Sequence, residues 1–261
     1  MYTTRYLHYF LFIFFLILCL SNPANAQSET LVDSLLTKAN NQVDNFDEKE
    51  AIKTYQKVLN EDPENFEALW NVSVLHSTVG YRLEDEDARE KYYNKATNYA
   101  QKALDNHPEK GLSYYAMAVA KGRIAELKGT RDKIRLSHEV QKNIRKAVDI
   151  QPNHALSWHL YGVWQSEVAN VGRAERFAAN FISEGLPDAS NKKAEEYLKK
   201  AMELNPGNVL IRYDLAMHYV RSDQEDRAIP VLEELLTMEP ILKDGKRHLD
   251  EARKLLNDLK S

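Results

Sequence analysis

One short phrase that ends in proline recurs five times along this chain of 261 residues and constrains the fold more than any other pattern. Each copy has an apolar or small residue five, eight and twelve positions before its proline, so all three lie on one face of a helix. Proline then ends that helix, because it lacks an amide donor and disfavours helical geometry in the preceding residue. The repeats predict an all-α fold. They end at Pro63, Pro108, Pro152, Pro206 and Pro240.

A second pattern follows each of the first four prolines, where the tenth residue is always small. A small side chain lets two helices approach closely, and the apolar residues around it suit the first helix of a helical hairpin. Arg212 is the one obvious exception among those flanking positions. A single hairpin does not bury its apolar faces, so we expect neighbouring hairpins to stack. The small residues are Ser73, Ala118, Gly162 and Ala216.

The period of the last unit indicates the kind of repeat. Its sequence, VLIRYDLAMHYVRSDQEDRAIPVLEELLTMEP, resembles the tetratricopeptide repeat (TPR), which has a period of 34 residues. The prolines are 45, 44, 54 and 34 residues apart, so three units are elongated. The resemblance covers about residues 32–240 and implies a TPR-like α-solenoid of antiparallel helix hairpins with a C-terminal capping helix. We expect about five repeats over residues 27–242 and the capping helix over residues 243–261.

The longest unit contains an insertion that predicts a short extra helix, ended by Gly185 and Pro187. The stretches LSWHLYGVWQSEVAN, RFAANFISEGLPDAS and AEEYLKKAMELNP, in this order, resemble the regulator-of-microtubule-dynamics family of TPR proteins. This second resemblance runs from about Leu69 to Pro206 and departs from the family's usual double proline at Gly185-Leu186-Pro187. It indicates the shape of the chain.

The N-terminal segment has the composition of an export signal. Tyr9 to Leu20 form an apolar run of twelve residues, whereas a helix needs about 20 to span a bilayer. The residues that follow are expected to break the helix and to offer small side chains at Ala24 and Ala26. We therefore predict a signal peptide over residues 1–26 and a protein exported to the periplasm, or secreted, by a Gram-negative bacterium, with no stable membrane insertion after cleavage. The alternative is a retained N-terminal anchor.

Charge and composition exclude several classes of function. Without residues 1–26, which contain Arg5 and no acid, the chain has 34 basic and 39 acidic residues, a net charge of −5 that repels nucleic acid. No glycine-rich phosphate loop, nucleophile elbow or paired-carboxylate arrangement is present, and no two histidines are four residues apart. We expect no catalytic residue, cofactor or metal site, and therefore no enzyme.

The TPR resemblance implies where a partner would bind. TPR arrays coil into a superhelix whose inner wall is formed by the first helix of each pair and receives peptides or partner helices. One inner-wall position recurs as an aromatic ladder, and charged residues that follow it could clamp a charged ligand or stay solvated. The ladder is either open to a partner or covered by an inserted helix through Phe177, Phe181 and Ile182. The implied partner-binding residues are Trp70, Tyr115, Arg123, His159, Glu167, Tyr213, Met217 and Arg221.

Two functions fit these observations. The favoured hypothesis is an exported scaffold that binds a peptide or helical segment of a protein partner on its concave face. The alternative is a small-ligand-binding accessory protein, in which the insertion near Phe177–Phe181 closes a pocket against Trp158 and Trp164.

Overall fold

A computed structural model of the chain describes residues 23–182, 185–239 and 244–261. Within these ranges the regular elements are twelve α-helices, and no strand occurs, which confirms the predicted all-α class. The helices are α1 (Pro23–Asp44), α2 (Glu48–Glu61), α3 (Phe66–Tyr81), α4 (Glu86–Asn106), α5 (Gly111–Glu126), α6 (Thr130–Ile150), α7 (Ala155–Ala169), α8 (Arg173–Ile182), α9 (Asn191–Leu204), α10 (Val209–Arg221), α11 (Glu225–Leu235) and α12 (Gly245–Lys260).

The helices form five antiparallel pairs that stack in chain order, as predicted. The pairs are α1 with α2, α3 with α4, α5 with α6, α7 with α9, and α10 with α11, and α12 packs on the last pair as a cap. The second helices α2, α4, α6 and α9 each end two residues before one of the repeated prolines. Pro240, which follows α11, lies outside the described residues. The chain is therefore a TPR-like solenoid with elongated repeats.

The predicted small residues lie where helices meet. A methyl carbon added at Gly162 in α7 would lie only 2.6 Å from Cγ of Leu198 in α9 and 2.9 Å from its backbone nitrogen. Ala118 and Ala216 are fully buried at the equivalent positions. The Ser73 hydroxyl is also buried and donates a hydrogen bond of 2.8 Å to the carbonyl of Ala96 in α4. Close approach of the helices thus explains the repeated choice of a small side chain.

Arg212, the exception to the apolar pattern, is buried in the first turns of α10. Its guanidinium forms an ion pair of 2.8 Å with Glu234 of α11 and donates a hydrogen bond of 3.2 Å to the carbonyl of Pro206. The two terminal nitrogens of the guanidinium are therefore paired while the aliphatic stem packs like an apolar residue; the buried Nε has no hydrogen-bond partner among the described residues.

The inserted helix α8 does not cover the inner wall through its phenylalanines, which argues against that one of the two alternatives. Its phenylalanines Phe177 and Phe181 are 66% and 76% exposed, while Ala179 on the opposite side is buried. The helix packs against α6, which is the second helix of its pair and so lies on the outer side of the solenoid. The side chain of Ile182 is outside the described part of the chain.

Most of the predicted signal peptide, residues 1–22, also lies outside the described residues. Residues 23–27, part of the segment where a break was expected, are helical, since α1 begins at Pro23 and continues through Ala24 and Ala26; the junction with the apolar run lies outside the described residues. Proline is well tolerated at the first position of a helix, where its missing amide donor would be unpaired anyway. None of the helices in the described ranges is both long enough and apolar enough to span a bilayer.

The two ends of the array meet through an ionic contact, which we call the Arg82 clasp. Arg82 follows α3, and its guanidinium donates to Asp244 at 2.9 and 2.6 Å, just before α12 begins. A third bond joins Arg82 to Glu48 in the first turn of α2. Nearby, the guanidinium of Arg247 lies 5.8 Å from the ring centre of Tyr81. The solenoid therefore curves enough to bring its last helix back to its first hairpins.

Replacing Arg82 with glutamine is expected to lower the free energy of unfolding by about 2 kcal/mol, the cost of losing hydrogen bonds to charged groups that are mostly shielded from water. Urea unfolding of the wild type and the variant measures the difference. The control is Arg135→Gln, because Arg135 pairs with Asp132 and Glu139 on an exposed helix surface. Such pairs contribute less than about 1 kcal/mol. Equal effects of the two substitutions would contradict a structural role for the clasp.

Candidate functional site

The inner wall of the solenoid is formed by the first helices of the pairs. Among them α3 packs directly on α5, and α7 packs on α10, so the wall is continuous within these neighbours. Positions four residues apart on a helix share one face, which places His159, Val163 and Glu167 in one row on α7. Tyr213, Met217 and Arg221 form the matching row on α10. The wall thus has an aromatic level and, two turns further along each helix, a charged level.

The aromatic level is largely occupied in its N-terminal half. Tyr115 is only 7% exposed, and its ring meets the ring of His154 edge to face with 4.9 Å between centres. Burial raises the pKa of the Tyr115 hydroxyl to about 12. Trp70 is half-buried and packs on a small cluster that contains Ala116 and Met117. Tyr115 is therefore a core residue, whereas part of the Trp70 side chain remains accessible to a partner.

In the C-terminal half, the same level is engaged by contacts within the protein. Nε2 of His159 lies 2.6 Å from Oδ2 of Asp214, which joins α7 to α10. The ring of Tyr213 lies 5.4 Å from the ring of His248 on the capping helix, and burial raises the pKa of its hydroxyl. These aromatic positions help to hold the repeats and the cap together.

The charged level is partly engaged within the protein. The Arg123 guanidinium lies 4.0 Å from the ring centre of Tyr81 and forms an ion pair of 2.6 Å with Glu126. Glu167 is exposed to solvent, yet the surrounding concave wall desolvates its carboxylate and raises its pKa, an effect that the charge of Arg221 opposes. Water reaches the carboxylate, but protein surrounds it on several sides, so the two observations are compatible.

Arg221 offers an unsatisfied donor at this level. Its Nη1 is buried and has no hydrogen-bond partner among the described residues. A buried guanidinium nitrogen without an acceptor costs free energy, and a bound carboxylate or carbonyl oxygen would remove that cost. Met217 and Val163 are partly buried beside it and add apolar surface. The structure thus brings Glu167, Met217 and Arg221 together, whereas Trp70 and Tyr115 lie at the other level.

Several residues of this wall were not predicted from the sequence. The ring of Tyr81 lies under the Arg123 guanidinium, and Asp214 pairs with His159. Arg247 places a second cation beside the Tyr81 ring. Asp214 could have been found from its place beside Tyr213 on the inner face of α10. Tyr81 and Arg247 are too far apart in the chain for any local pattern to connect them.

The pocket required by the alternative hypothesis does not form between the insertion and Trp158 and Trp164. The indole nitrogen of Trp158 donates a hydrogen bond of 2.8 Å to the Pro152 carbonyl, and that of Trp164 donates one of 3.0 Å to Ser137. Both rings pack within the solenoid, while Phe177 and Phe181 face solvent. Nowhere in the described ranges do three histidine, cysteine, aspartate or glutamate side chains come together as metal ligands.

Solved structures resemble the fold of this chain. A thermophilic TPR protein of Thermus thermophilus matches with a TM-score of 0.64 and 17% identity, covering 85% of this chain and 99% of that protein. The Pseudomonas aeruginosa pilF protein matches with a TM-score of 0.53 and 13% identity, covering 89% and 90% of the two chains. At these identities the similarity establishes the TPR fold.

Sequence comparison indicates the family. Regulator of microtubule dynamics protein 3 of Xenopus laevis is 27% identical over 151 residues, which are 58% of this chain and 32% of that protein. Regulator of microtubule dynamics protein 1 of Mus musculus is 23% identical over 190 residues, 72% of this chain and 61% of its own length. The chain thus covers less than two thirds of each relative. A family model described as regulator of microtubule dynamics protein 1-3 matches residues 35–260. The chain belongs to this family.

Proposed function

We propose that this protein is a TPR scaffold that binds a peptide or helical segment of another protein on its concave face and performs no reaction of its own. The observation that carries the proposal is the charged level of the inner wall, where Glu167 is open to solvent and Nη1 of Arg221 finds no acceptor in the described part of the chain. Both lie beside the partly buried Val163 and Met217. Apolar side chains next to an unpaired hydrogen-bond donor are typical of a surface that binds a peptide segment.

The partner segment would bind mainly between α7 and α10. Tyr115 and Tyr213 are engaged with His154 and His248, so they shape the wall and are poor anchors for a ligand. A segment at the charged level would place an oxygen acceptor on Arg221 and a cationic or amide group on Glu167, with apolar side chains between them. This moves the expected contacts away from the full aromatic ladder and towards Glu167, Met217 and Arg221.

The proposal includes export. The apolar run Tyr9–Leu20, followed by Ala24 and Ala26, supports cleavage of residues 1–26 and a periplasmic or secreted location. Intact mass of the protein extracted from its source measures this directly, since a mass that starts at Gln27 supports cleavage. A mass that retains residues 1–26 would contradict it and favour the N-terminal anchor.

A double substitution of the charged level tests the binding site. Glu167→Lys with Arg221→Glu keeps the net charge and reverses both groups, so in-cell crosslinking followed by mass spectrometry should recover the partner at least tenfold less well. The matched control is Lys200→Glu with Glu203→Lys, which reverses an exposed ion pair of 3.3 Å on α9. The control is expected to retain the partner, because a second helix lies outside the groove.

The names of the relatives provide a second arm of the same experiment. Purified protein is mixed with microtubules and sedimented, with both double variants in parallel. Co-sedimentation that depends on Glu167 and Arg221 would identify tubulin as the occupant of the groove. If every partner remains bound to the Glu167→Lys, Arg221→Glu variant, the concave face is not the binding surface.

A further inference from the structure

The inserted helix α8 presents an apolar face to solvent. The apolar residues on its exposed surface are Ala174, Phe177, Ala178 and Phe181, which we call the outer Phe face; Arg173, Glu175 and Asn180 are exposed as well. The two phenylalanine rings are 4.8 Å apart between centres, and both are more than half exposed. Buried Ala179 lies on the other side of the helix, against the body of the solenoid. The apolar side chains therefore point away from the core.

The orientation of α8 is fixed by hydrogen bonds at both of its ends. The guanidinium of Arg176 donates to the carbonyls of Val168 and Ala169 at the end of α7, at 2.6 and 3.4 Å. After the helix, Nε2 of His138 lies 3.0 Å from the Gly185 carbonyl, and Gln141 donates to the Asp188 carbonyl at 3.1 Å. The outer Phe face is thus held outward by contacts to α6 and α7.

The surroundings of this face are basic in an otherwise acidic chain. The whole chain has a formal net charge of −4, yet residues 128–135, which include the first turns of α6, contain four cations and one anion. Helix α8, which packs on α6, adds two cations and one anion. Arg131 and Arg173 are exposed, whereas Arg135 is paired with Glu139 and the charge of Lys133 acts on Glu167 of the inner wall. Arg173 lies one helical turn before Phe177, and exposed cations on the same helix as aromatic rings and on its neighbour are complementary to a surface that is anionic outside and apolar beneath.

The size of the face distinguishes between possible occupants. A phenylalanine side chain buries roughly 150–250 Å² at most, so the two exposed rings offer on the order of 300 Å². A stable protein interface needs about 800 Å² on each partner, which a second copy of this chain would not find here. A lipid surface requires only that a few apolar side chains enter the boundary between headgroups and acyl chains.

We propose that the outer Phe face docks reversibly on an anionic lipid bilayer, with Phe177 and Phe181 inserted and Arg131 and Arg173 at the headgroups. The concave groove lies on the first helices and α8 on the outer side, so a docked protein keeps its groove open to a partner. The inference is independent of the proposed peptide binding, since it uses none of the same residues.

Two variants of the full chain test this docking on vesicles made of equal parts phosphatidylglycerol and phosphatidylcholine. Phe177→Ser with Phe181→Ser is expected to lower the vesicle partition coefficient at least tenfold, with an unchanged melting temperature because both rings are exposed. Arg131→Glu with Arg173→Glu is expected to lower it on these vesicles but not on pure phosphatidylcholine. High salt should weaken binding of the wild type to the anionic vesicles.

A local reporter separates this site from the N-terminal apolar run. Phe177→Trp is expected to show a blue-shifted emission and quenching by brominated lipid beyond that of the wild type. Lys200→Trp, on an exposed surface of α9, should show neither change. Unquenched Phe177→Trp, or undiminished vesicle binding by the serine variant, would overturn the proposal. So would a dimer in sedimentation velocity that the serine substitutions dissociate, because the face would then serve self-association.

Discussion

Alanine in place of Gly162 is expected to lower the free energy of unfolding by about 3 kcal/mol. Its methyl carbon would lie 2.6 Å from Cγ of Leu198 and 2.9 Å from the backbone nitrogen of the same residue. A side chain can rotate away, but the backbone of α9 can yield only if the whole hairpin of α7 and α9 separates. Urea unfolding followed by circular dichroism measures the loss.

Gly122→Ala is the matched control, because Gly122 is also a glycine within a first helix. A methyl carbon there would lie 4.0 Å from Cγ2 of Val140, which is an ordinary van der Waals contact. Alanine has a higher helix propensity than glycine, so this variant should gain up to about 1 kcal/mol. The same change from glycine to alanine is therefore expected to lower the free energy of unfolding at Gly162 and to raise it at Gly122. A stable Gly162→Ala protein would show that α7 and α9 do not pack as closely as described.

Acidification from pH 7 to pH 4.5 is expected to lower the free energy of unfolding by about 4 kcal/mol, through His76 and His154. Burial, assisted at His76 by the charge of Lys95, lowers the pKa of each imidazole to about 4. The unfolded chain, with a histidine pKa near 6.5, binds protons that the folded protein excludes. Above pH 6.5 both imidazoles are neutral in the folded and the unfolded chain, so the free energy of unfolding is not reduced. It falls as the pH drops from 6.5 towards 4, because only the unfolded chain then binds the protons.

The surroundings of His76 explain why it excludes a proton. The ring is 3% exposed, stacks on Tyr99 with 5.8 Å between centres, and meets Tyr92 edge to face at 5.3 Å. Neither of its nitrogens has a hydrogen-bond partner within the described ranges. His76→Phe should keep the stacking, match or exceed the wild-type stability at pH 7, and remove about half of the loss on acidification. Identical pH profiles for the two proteins would contradict the assignment.

The sequence allowed prediction of the elements whose causes are local. The repeated prolines determined where α2, α4, α6 and α9 end, and Gly162 marked a close contact, because both effects act within one helix or between adjacent helices. The charged level containing Glu167 and Arg221 followed from helical spacing on α7 and α10, combined with the TPR resemblance. These relations extend over a few tens of residues, the range in which periodicity is informative.

The remaining properties depend on contacts that no local pattern encodes. An amphipathic α8 predicts an apolar face but not its direction, and the hydrogen bonds of Arg176 and His138 turn Phe177 and Phe181 outward. The sequence left open whether the aromatic level is free, and the rings that engage it could not be predicted, since His154 and His248 come from outside the first helices and meet Tyr115 and Tyr213.

The Arg82 clasp changes how this solenoid can lose its structure. In an open array each repeat touches only its neighbours, so the terminal helices fray first and independently. Here Asp244 at the start of α12 is bonded to Arg82 near the other terminus, and Arg82 is also bonded to Glu48. Detaching the cap therefore also removes a restraint from the second and third helices. Unfolding of the capping helix and of the second and third helices is therefore coupled, which does not occur in a stack where each repeat contacts only its neighbours.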